Sequence, residues 1–396
     1  MTLTFISNYI NHHQIPLSDC LYEKLGENYH FVQTEPMAEE RKAMGWQSEN
    51  DALPYLVCSY EQPELAEKLL MESDVVVFGG CENEEMIRPR LLAGKLTFRY
   101  SERIYKEGQW KFVSPRGLKQ KYHDHVKFRK APVYLLCAGG YVASDFHLVH
   151  AYPGKMLRWG YFPAYKPYAG DDCHAKRRAN NTTILLWAGR FIDWKHPEMA
   201  IRLMADLKKE GYGCRLQMIG GGPLEDSLKQ ETVVQGLNDC VEFCGYKKPE
   251  QVREAMECAD IHLFTSDYRE GWGAVLNESM NSGCAAVANK GIGAVPYLIK
   301  DGENGYFYPN GDYETFKKRV KSLLDDRDAC FLMGQKAYET IRDTWNPQTA
   351  AEHLLAVARE MQTVLENGQI PRLPELMLPA EGPVSVAPVL SPGIWN

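Results

Sequence analysis

The chain has 396 residues, of which 44% are hydrophobic and 24% charged, a composition typical of a folded globular protein. This length exceeds one hydrophobic core and predicts two domains of roughly 150–200 residues. The net charge of −7 argues against nucleic acid as the main partner. No apolar run reaches the roughly 18 residues of a membrane span. The first residues, MTLTFISNYINHHQ, also lack a basic region followed by an apolar one, so we expect a cytoplasmic chain.

The cysteines indicate a reducing environment. The 11 cysteines have no regular spacing, and Cys137, Cys214 and Cys284 lie inside apolar runs, which predicts buried thiols rather than a disulfide framework. Cys240 and Cys244 flank a strand-like VEF run, and no second Cys/His pair accompanies them. We therefore predict no zinc site and no other metal site.

Apolar runs of strand length alternate with helical stretches along the chain. In the first half, strands are predicted at 3–7, 30–34, 74–80, 95–100 and 133–139, with an amphipathic helix at 62–72. In the second half, strands are predicted at 183–189, 215–220, 241–245, 260–266 and 284–289. Such a pattern is typical of parallel sheets covered by helices on both faces. Two sets of this kind predict an α/β chain with two Rossmann-like domains.

Polar and proline-rich segments mark the predicted domain boundaries. A first domain over 1–165 is followed by a linker over 166–182, which is rich in turn residues, and by a second domain over 183–345. A helix is predicted over 346–366, where Asn-Pro forms a cap with an early proline. The tail over 367–396 contains six prolines and is not helical. It is either a disordered end, which we favour, or an apolar strap on a surface.

The stretch REGWGAVLNESMNSG, residues 269–283, follows a predicted strand. Glu270 lies in its glycine loop and Glu278 in a helix predicted from about Gly273 to Gly283. Glycines admit an anion close to backbone N–H groups, and a helix start adds partial positive charge. An acid beside such an anion site suggests the hydroxyl groups of a sugar as its partner. The alternative is that both glutamates are solvated surface acids.

Two cations follow the first predicted strand of the second domain. Arg190 ends the run WAGR, and Lys195 precedes the next helix, so both lie at the sheet edge that also carries the glycine loop. Together they predict a diphosphate site, whereas the alternative is an ordinary surface pair. The triple glycine of MIGGGPLEDSLK predicts a tight turn that lines a nucleotide pocket with Gly221.

Residues 183–312 resemble the donor-binding domain of glycosyltransferase family 4, the retaining sugar-nucleotide transferases of GT-B fold. The resemblance rests on AGRFIDWK, IGGGPLEDSL, VEFCGYKKPEQV, ADIHLFTSDYREGWGAVLNESMNSG and NGYFYPNGD, in this order. Over 1–180 the likeness is loose. The resemblance implies two Rossmann-like domains that face each other across a cleft, with the helix 346–366 crossing back to the first domain.

The family pattern also implies roles for individual residues. Glu270, Arg190 and Lys195 are predicted to be catalytic: Glu270 contacts the donor sugar, and the two cations neutralise the leaving diphosphate. Glu278 is expected to bind the ribose and Tyr246 to lie beside the base. The predicted donor-binding residues are Gly271, Trp272, Gly273, Ala274, Val275, Leu276, Glu278, Tyr246 and Gly221. Neither a metal nor another cofactor is expected. Trp272 and Asn277 depart from the commonest family pattern.

The first domain is expected to hold the acceptor. The predicted acceptor-side residues are Asn11, His12, His13, Glu102 and Arg103. A glycine pair that is common in the first loop of the family is absent, and the stretch RYSERIY offers no histidine to which a catalytic role transfers. The alternative for His12 and His13 is a surface pair at a helix start.

The implied activity is retaining transfer of a sugar from a nucleotide-diphosphate sugar to a hydroxyl acceptor. A glycan or a lipid-linked oligosaccharide of surface polysaccharide synthesis is the expected acceptor. The alternatives are another GT-B sugar-nucleotide enzyme, such as an epimerase, and a non-catalytic sugar-nucleotide-binding protein. Turnover of a nucleotide sugar would distinguish these classes.

The segment 86–130 is strongly basic. It holds 13 basic and 3 acidic residues, with Tyr105, Trp110, Phe112 and Tyr122 interleaved. Anionic lipid headgroups attract such segments, so we predict peripheral docking on the inner face of a membrane. The alternative is a solvated basic surface.

Overall fold

The computed structural model describes residues 1–37, 53–81, 83–169, 172–178 and 180–392. The chain divides into two compact units: unit 1 comprises Met1–Ala164 and Asn346–Asn396, and unit 2 comprises Tyr165–Trp345. Each unit contains a parallel sheet with helices, so the predicted α/β class with two sheets is confirmed.

The sheet of unit 1 has the strand order β3-β2-β1-β4-β5-β6-β7, and all neighbouring pairs are parallel. The strands are β1 (Leu3–Ser7), β2 (Tyr29–Gln33), β3 (Leu56–Cys58), β4 (Val75–Gly79), β5 (Thr97–Ser101), β6 (Val133–Ala138) and β7 (Met156–Trp159). The order reverses between β1 and β4. Because β3 and β7 contain only three and four residues, their apolar pattern was too short to predict them.

Helices of unit 1 follow its strands. They are α1 (Ile15–Leu25), α2 (Pro63–Glu72), α3 (Arg88–Leu92), α4 (Pro115–Asp124) and α5 (Val142–Leu148). Helix α2 confirms the amphipathic helix predicted at 62–72. It buries Ala66 and Leu70, four positions apart on one face, against the core of unit 1.

The sheet of unit 2 has the order β10-β9-β8-β11-β12-β13, again with parallel neighbours. Its strands are β8 (Thr183–Ala188), β9 (Cys214–Ile219), β10 (Val241–Gly245), β11 (Ile261–Phe264), β12 (Ala285–Asn289) and β13 (Tyr306–Tyr308). Its helices are α6 (Ala175–Arg178), α7 (Glu198–Lys209), α8 (Glu225–Val234), α9 (Pro249–Cys258), α10 (Val275–Asn281), α11 (Val295–Leu298), α12 (Tyr313–Asp325) and α13 (Arg327–Asp343). The order reverses between β8 and β11, which places the ends of these two strands at the switch point.

Both faces of the unit 2 sheet are buried. Side chains alternate along a strand, so Leu185 and Trp187 of β8 belong to one apolar cluster, whereas Leu186 belongs to another with Met256 of α9. This two-sided burial explains why the strand TILLWA is almost continuously apolar.

The predicted linker 166–182 is part of unit 2 in the structure. Its Arg177 is fully buried and donates hydrogen bonds to the carbonyl oxygens of Met256 and Ser282 at 2.7 and 2.6 Å. It also donates to the carbonyl oxygen of Gly283. Arg177 therefore anchors this segment to the end of α10, a contact between distant parts of the chain that the polar composition concealed.

The predicted C-terminal helix is α14 (Pro347–Glu366), whose Asn346 cap accepts a hydrogen bond from the N–H of Thr349. It belongs to unit 1 and lies beside α1, with Lys24 and Glu352 paired at 3.0 Å. Within unit 1 this helix covers one side of the sheet.

The described part of the proline-rich tail is a strap and not a disordered end, so our preferred interpretation of it was wrong. The N–H of Arg158 donates to Ser385 at 2.7 Å, and the N–H of Val384 donates back to Arg158 at 2.8 Å. Leu157 and Val386 form an antiparallel bridge. The tail thereby covers the edge strand β7, whose backbone would otherwise be open to another chain.

All 11 cysteines are free, and Cys137, Cys214 and Cys284 are buried, as their apolar surroundings predicted. Among the described residues, no helix is both long and apolar enough to cross a bilayer.

Candidate functional site

Two loops meet at the switch point of unit 2. One follows β8 and carries Arg190 and Lys195, and the other follows β11 and carries Glu270. Because β8 and β11 are neighbouring parallel strands, their carboxyl ends bring these loops together. Strand order alone predicts that a ligand binds at this switch point. Three of the predicted site residues, Arg190, Lys195 and Glu270, lie on its two loops.

Lys195 and Glu270 form an ion pair. Their Nζ and Oε2 atoms are 2.6 Å apart, and the two side chains are only 13% and 14% exposed. The turn Asp193–Lys195 that presents Lys195 is held by Thr265, whose hydroxyl donates to the carbonyl oxygen of Lys195 at 2.7 Å. The sequence assigned the lysine and the glutamate to different parts of a ligand, and the structure joins them directly.

Arg190 is half-buried at the end of β8. Within the described part of the chain, its guanidinium group forms neither a hydrogen bond nor an ion pair, whereas the charge of Lys195 is matched by Glu270. The switch point therefore keeps an unmatched positive charge beside a matched pair, an arrangement suited to an anionic ligand.

The backbone of the triple-glycine turn packs closely against the backbone that follows β8. A Cβ atom on Gly220 would lie 1.9 Å from the carbonyl oxygen of Gly189, so only glycine fits there. The N–H of Phe191 donates to the carbonyl oxygen of Gly221 at 2.8 Å. The ring of Tyr246, which is 64% exposed, lies against Gly221 and presents a flat apolar face at the edge of the site.

The side chain of Trp272, one of the predicted donor-binding residues, lies in the interior of unit 2. Its indole is fully buried against Trp345, with ring centroids 5.8 Å apart, and its Nε1 donates to Oδ1 of Asn277 at 2.8 Å. The two departures from the commonest family pattern are thus bonded to each other. Because the indole packs inside the unit, the backbone of Trp272 is the part that is available to a ligand.

Helix α10 is shorter than predicted, because Gly273 has a φ of 91° and the helix begins at Val275. The shorter helix contributes less dipole than expected. Gly271, Ala274 and Leu276 are buried with it. These residues are therefore available to a ligand mainly through backbone groups.

Glu278 is half-buried on α10, and burial raises the pKa of its carboxyl group, an effect that the charge of Arg253 opposes. Arg253 also donates to Oδ1 of Asn281 at 2.6 Å and to the carbonyl oxygen of Glu278 at 3.4 Å. The charged neighbour of this carboxylate is thus Arg253, whereas Glu270 is paired with Lys195.

A charged network supports these loops, and the sequence interpretation missed it. His196 lies between two acids, 2.9 Å from Glu198 and 3.4 Å from Asp267. Arg269 pairs with Asp267 at 2.7 Å and with Asp193 at 3.3 Å. The sequence offered one clue, which is the high density of charged residues next to Lys195 and Glu270. It did not show which of these residues pair, because the pairing depends on folding.

Unit 1 contains a polar cavity of about 460 Å³ at the carboxyl ends of its central strands. Four of the five predicted acceptor-side residues line it, namely Asn11, His13, Glu102 and Arg103. The sequence interpretation missed further lining residues, which include Gln14, Glu84, Arg99, Lys121 and Tyr161. They come from segments that are distant in sequence and meet only in the folded unit.

The first loop of unit 1 is built around Asn11, whose side chain accepts a hydrogen bond from the N–H of His13 at 2.9 Å. The His12 and His13 rings are 3.9 Å apart, and His13 stacks on Tyr161 at 6.2 Å. Burial, with a smaller effect of His12, lowers the pKa of His13 well below its usual value. His13 therefore presents a neutral imidazole, whereas His12 lies outside the cavity lining.

Glu102 and Arg103 have different environments. Glu102 pairs with Lys106 and accepts a hydrogen bond from the Tyr161 hydroxyl at 2.5 Å. Arg103 is buried, and it is paired with the fully buried Asp145 at 3.1 Å. Because this charge is already matched inside unit 1, Arg103 lines the cavity as a paired and not as an unpaired cation.

The basic segment 86–130 is not a continuous basic surface. Arg90, Arg99 and Arg103 are buried, and Arg90 donates to four backbone carbonyl groups. The exposed part centres on α4 and the turn before it. Its exposed apolar residues are Trp110, Val113, Leu118 and Tyr122, and its exposed basic residues are Arg116, Lys119, Lys127, Arg129 and Lys130.

Residues 172–340 match the family model described as Glycosyl transferases group 1. A D-inositol 3-phosphate glycosyltransferase of Corynebacterium efficiens is 29% identical over 210 residues, or 51% of this chain and 47% of that protein. A putative colanic acid biosynthesis glycosyltransferase, WcaL, of Salmonella typhimurium is 25% identical over 189 residues, or 46% of this chain and 45% of that protein. The chain thus spans about half the length of the curated relatives it matches.

The fold has a counterpart in the solved structure of Anabaena Alr3699/HepE in complex with UDP. That protein is 14% identical, and the alignment covers 93% of this chain and 100% of that chain with a TM-score of 0.64. At this identity the likeness concerns the fold alone. It confirms the predicted GT-B class with its two Rossmann-like units.

Proposed function

We propose that the chain transfers a sugar from a nucleotide-diphosphate sugar to a hydroxyl acceptor, and the match of residues 172–340 to the glycosyl transferases group 1 supports this proposal. The observation that carries the proposal is the switch point of unit 2. There the unmatched Arg190 lies at the end of β8, and the Lys195–Glu270 pair at 2.6 Å lies beside it.

The donor diphosphate would bind to the two cations. Its negative charge grows as the sugar–phosphate bond breaks, so Arg190 and Lys195 would stabilise the transition state more than the bound donor. Lys195 is poised for this role because Glu270 holds its ammonium group in place. We propose that these side chains replace a metal ion at the diphosphate, which makes the reaction insensitive to chelators.

The sugar would be held by Glu270 and the nucleoside by Glu278 and Tyr246. Glu270 accepts hydrogen bonds from sugar hydroxyls, and Glu278 accepts them from the ribose. The exposed Tyr246 ring supplies a stacking face for the base. In the proposed retaining reaction, the bond to the leaving diphosphate breaks with oxocarbenium character. The acceptor hydroxyl then adds from the same face and gives its proton to a diphosphate oxygen, so no carboxylate nucleophile is needed.

The acceptor would bind in the cavity of unit 1. Hydrogen-bonding groups from Asn11, His13, Gln14 and Glu102 line it, and such groups recognise a polyhydroxylated molecule. We propose a glycan or a lipid-linked oligosaccharide of surface polysaccharide synthesis, and the similarity to WcaL, a putative colanic acid biosynthesis glycosyltransferase, supports this choice. Helix α4, with its exposed basic and apolar residues, would bring the enzyme to an anionic membrane where such acceptors reside.

A donor screen tests the proposal. Thermal unfolding is measured with UDP-, GDP- and ADP-sugars, beginning with UDP-glucose, because a ligand that binds the folded state raises the melting temperature by mass action. Each stabilising donor is then incubated with oligosaccharide acceptors, and the products are identified by mass spectrometry and by the anomeric configuration in NMR. We expect one donor to stabilise the wild type and to yield a glycoside with retained configuration.

The matched variants are Arg190→Met, at the switch point, and Arg215→Met, at an exposed position of β9. Arg190→Met should reduce the donor-induced shift only in part while transfer becomes much slower, and Arg215→Met should keep both the shift and the transfer rate. Binding without transfer to any acceptor would favour a sugar-nucleotide-binding protein, and release of an epimerised nucleotide sugar would favour an epimerase.

A further inference from the structure

We infer that His196 is a positioning residue that joins the turn carrying Lys195 to the loop carrying Glu270. This inference rests on the proposed function, because the Lys195–Glu270 pair is the part of the site that His196 would hold. The imidazole lies between two carboxylates, with Nδ1 2.9 Å from Glu198 and Nε2 3.4 Å from Asp267. Glu198 begins α7, and Asp267 follows β11, so a single ring links both loops of the switch point.

The backbone of His196 supports this role. Its φ of 48° and ψ of 51° lie in the left-handed region, which is unfavourable for a residue with a Cβ atom. Such a conformation persists when surrounding contacts maintain it. The two carboxylate contacts of the ring are contacts of this kind.

Asp267 connects His196 to the predicted site through the hydrogen bonds of its backbone. Its N–H donates to the carbonyl oxygen of Trp194 at 2.9 Å, and its carbonyl oxygen accepts from the N–H of Glu270 at 3.1 Å. Asp267 therefore lies between the residue that precedes Lys195 and Glu270 itself. Fixing its carboxylate with His196 restrains the distance between the two loops.

Charge determines when this contact is strong. The charged side chains around His196 come from its own turn and α7 and from the opposite loop: Asp193, Lys195, Glu198, Asp267, Arg269 and Glu270. The hydrogen bond to Asp267, followed by that to Glu198, raises the pKa of His196 to about 9. The ring is thus a cation at neutral pH, and its contribution is lost as the pH rises through about 9.

The test compares His196→Gly with a matched control. Gly accepts the left-handed backbone, so His196→Gly removes the ring while relieving the strain. His150→Gly makes the same change at another left-handed histidine, with a φ of 54°, in unit 1. We expect kcat for sugar transfer to fall about tenfold to hundredfold in His196→Gly, since small misplacements of catalytic groups have effects of this size. The KM for the donor should change less than threefold, and His150→Gly should behave as the wild type.

Two readouts separate positioning from a structural role. The wild-type kcat should decline above pH about 9, and this decline should be absent from the profile of His196→Gly. An NMR titration of the His196 ring, assigned by comparison with His196→Gly, should give a pKa near 9 that falls in Asp267→Asn. A normal pKa near 6.5, or a wild-type rate in His196→Gly, would overturn the inference.

The NMR titration does not depend on catalysis. If no nucleotide sugar is turned over, the proposed function fails by itself. The inference then depends on whether His196→Gly separates the two loops. Side-chain NMR spectra of the wild type and the variant are compared, and we expect the Lys195–Glu270 contact to be lost in the variant. Retention of that contact in His196→Gly would overturn it.

Discussion

The two sheets have the same strand topology, but the basic side chains at their carboxyl ends differ in how they are paired with acids. In the cavity of unit 1, three of the four basic lining residues already have an acidic partner: Arg99 with Glu84, Arg103 with Asp145 and Lys106 with Glu102. In unit 2, one of the two switch-point cations, Arg190, has no partner within the described residues, and the other is held by Glu270.

This difference in charge pairing indicates that the carboxyl ends of the two sheets are suited to different ligands. A cavity in which most basic side chains are paired presents mainly hydrogen-bonding groups, which fits a polyhydroxylated molecule. A strand end with an unmatched cation attracts a polyanion, because the free charge is neutralised only when the ligand arrives. We therefore expect mutations in unit 2 to affect diphosphate chemistry and mutations in unit 1 to affect acceptor use or membrane contact.

The largest effect is expected at the buried arginine beneath the unit 2 site. Arg177→Met would leave the carbonyl oxygens of Met256, Ser282 and Gly283 without this donor. A buried group without a partner costs about 1–3 kcal/mol, so we expect the free energy of unfolding to fall by roughly 3–6 kcal/mol. Urea denaturation followed by tryptophan fluorescence measures this change.

Two matched variants sharpen the comparison of the units. Arg90→Met removes an equally buried guanidinium group from unit 1 and should destabilise that unit by a similar amount. Arg372→Met changes an arginine that is 73% exposed, and we expect a change within about 0.5 kcal/mol. Equal stability of Arg177→Met and Arg372→Met would show that the segment around Arg177 is no anchor.

The second prediction concerns the two switch-point cations. Neutralising Arg190 or Lys195 with Met should lower kcat by on the order of 10²–10³, as for other preorganised charges that stabilise a transition state. EDTA should leave the wild-type rate unchanged. Steady-state kinetics with and without chelator check both statements. Loss of activity in EDTA with recovery in Mg²⁺ would contradict the assignment of the diphosphate to these side chains.

Sequence patterns predicted the parts of the molecule that follow from local order. Long apolar runs predicted ten of the strands, and strand ends predicted where Arg190, Lys195 and Glu270 lie. The strands β3, β7 and β13 were missed, because three or four residues give no recognisable period. Their position at or near the sheet edges also relaxes the apolar pattern.

Pairings between distant residues were beyond prediction from the sequence. Arg103 and Asp145 are 42 positions apart, and nothing in either neighbourhood distinguishes a buried ion pair from two surface charges. The same holds for the contact of His196 with Asp267 and for the anchoring by Arg177. Trp272 was assigned to the ligand because it lies in the glycine loop, whereas its ring faces the interior. Folding decides these contacts because they depend on which helices and loops become neighbours.

The third prediction separates the two glutamates of unit 2. Glu278→Ala should weaken binding of a nucleoside diphosphate and of the nucleotide sugar alike, by about tenfold, because the ribose is common to both and a hydrogen bond to a charged group contributes roughly 1.5 kcal/mol. Glu270→Ala should impair transfer and leave nucleoside-diphosphate affinity within about threefold of the wild type. Isothermal calorimetry measures both affinities. An equal loss of nucleoside-diphosphate affinity in the two variants would contradict this division of roles.

The smallest effect per residue is expected at α4 and its flanks in unit 1, which we propose to dock on an anionic membrane. Helix α4 and its flanks carry exposed basic side chains beside Trp110 and Tyr122, which are 56% and 53% exposed, and such rings lie at the headgroup level of a bilayer. Each basic residue near an anionic surface contributes about 1 kcal/mol. We expect the triple variant Lys119→Glu, Lys127→Glu and Arg129→Glu to be released from anionic vesicles in co-sedimentation. Lys121 is left unchanged because it lines the cavity.

The control reverses three exposed basic residues of unit 2, Lys209, Arg215 and Lys318, to Glu, which changes the net charge equally. This control should still bind anionic vesicles, because it leaves the basic residues of α4 and its flanks unchanged. Wild-type binding should weaken as added salt shortens the screening length from about 10 Å at 0.1 M. Transfer to a soluble acceptor should be unchanged in both triple variants, since neither alters the switch point or the cavity. Equal sedimentation of the wild type with neutral and anionic vesicles, or with neither, would identify α4 as a solvated basic surface.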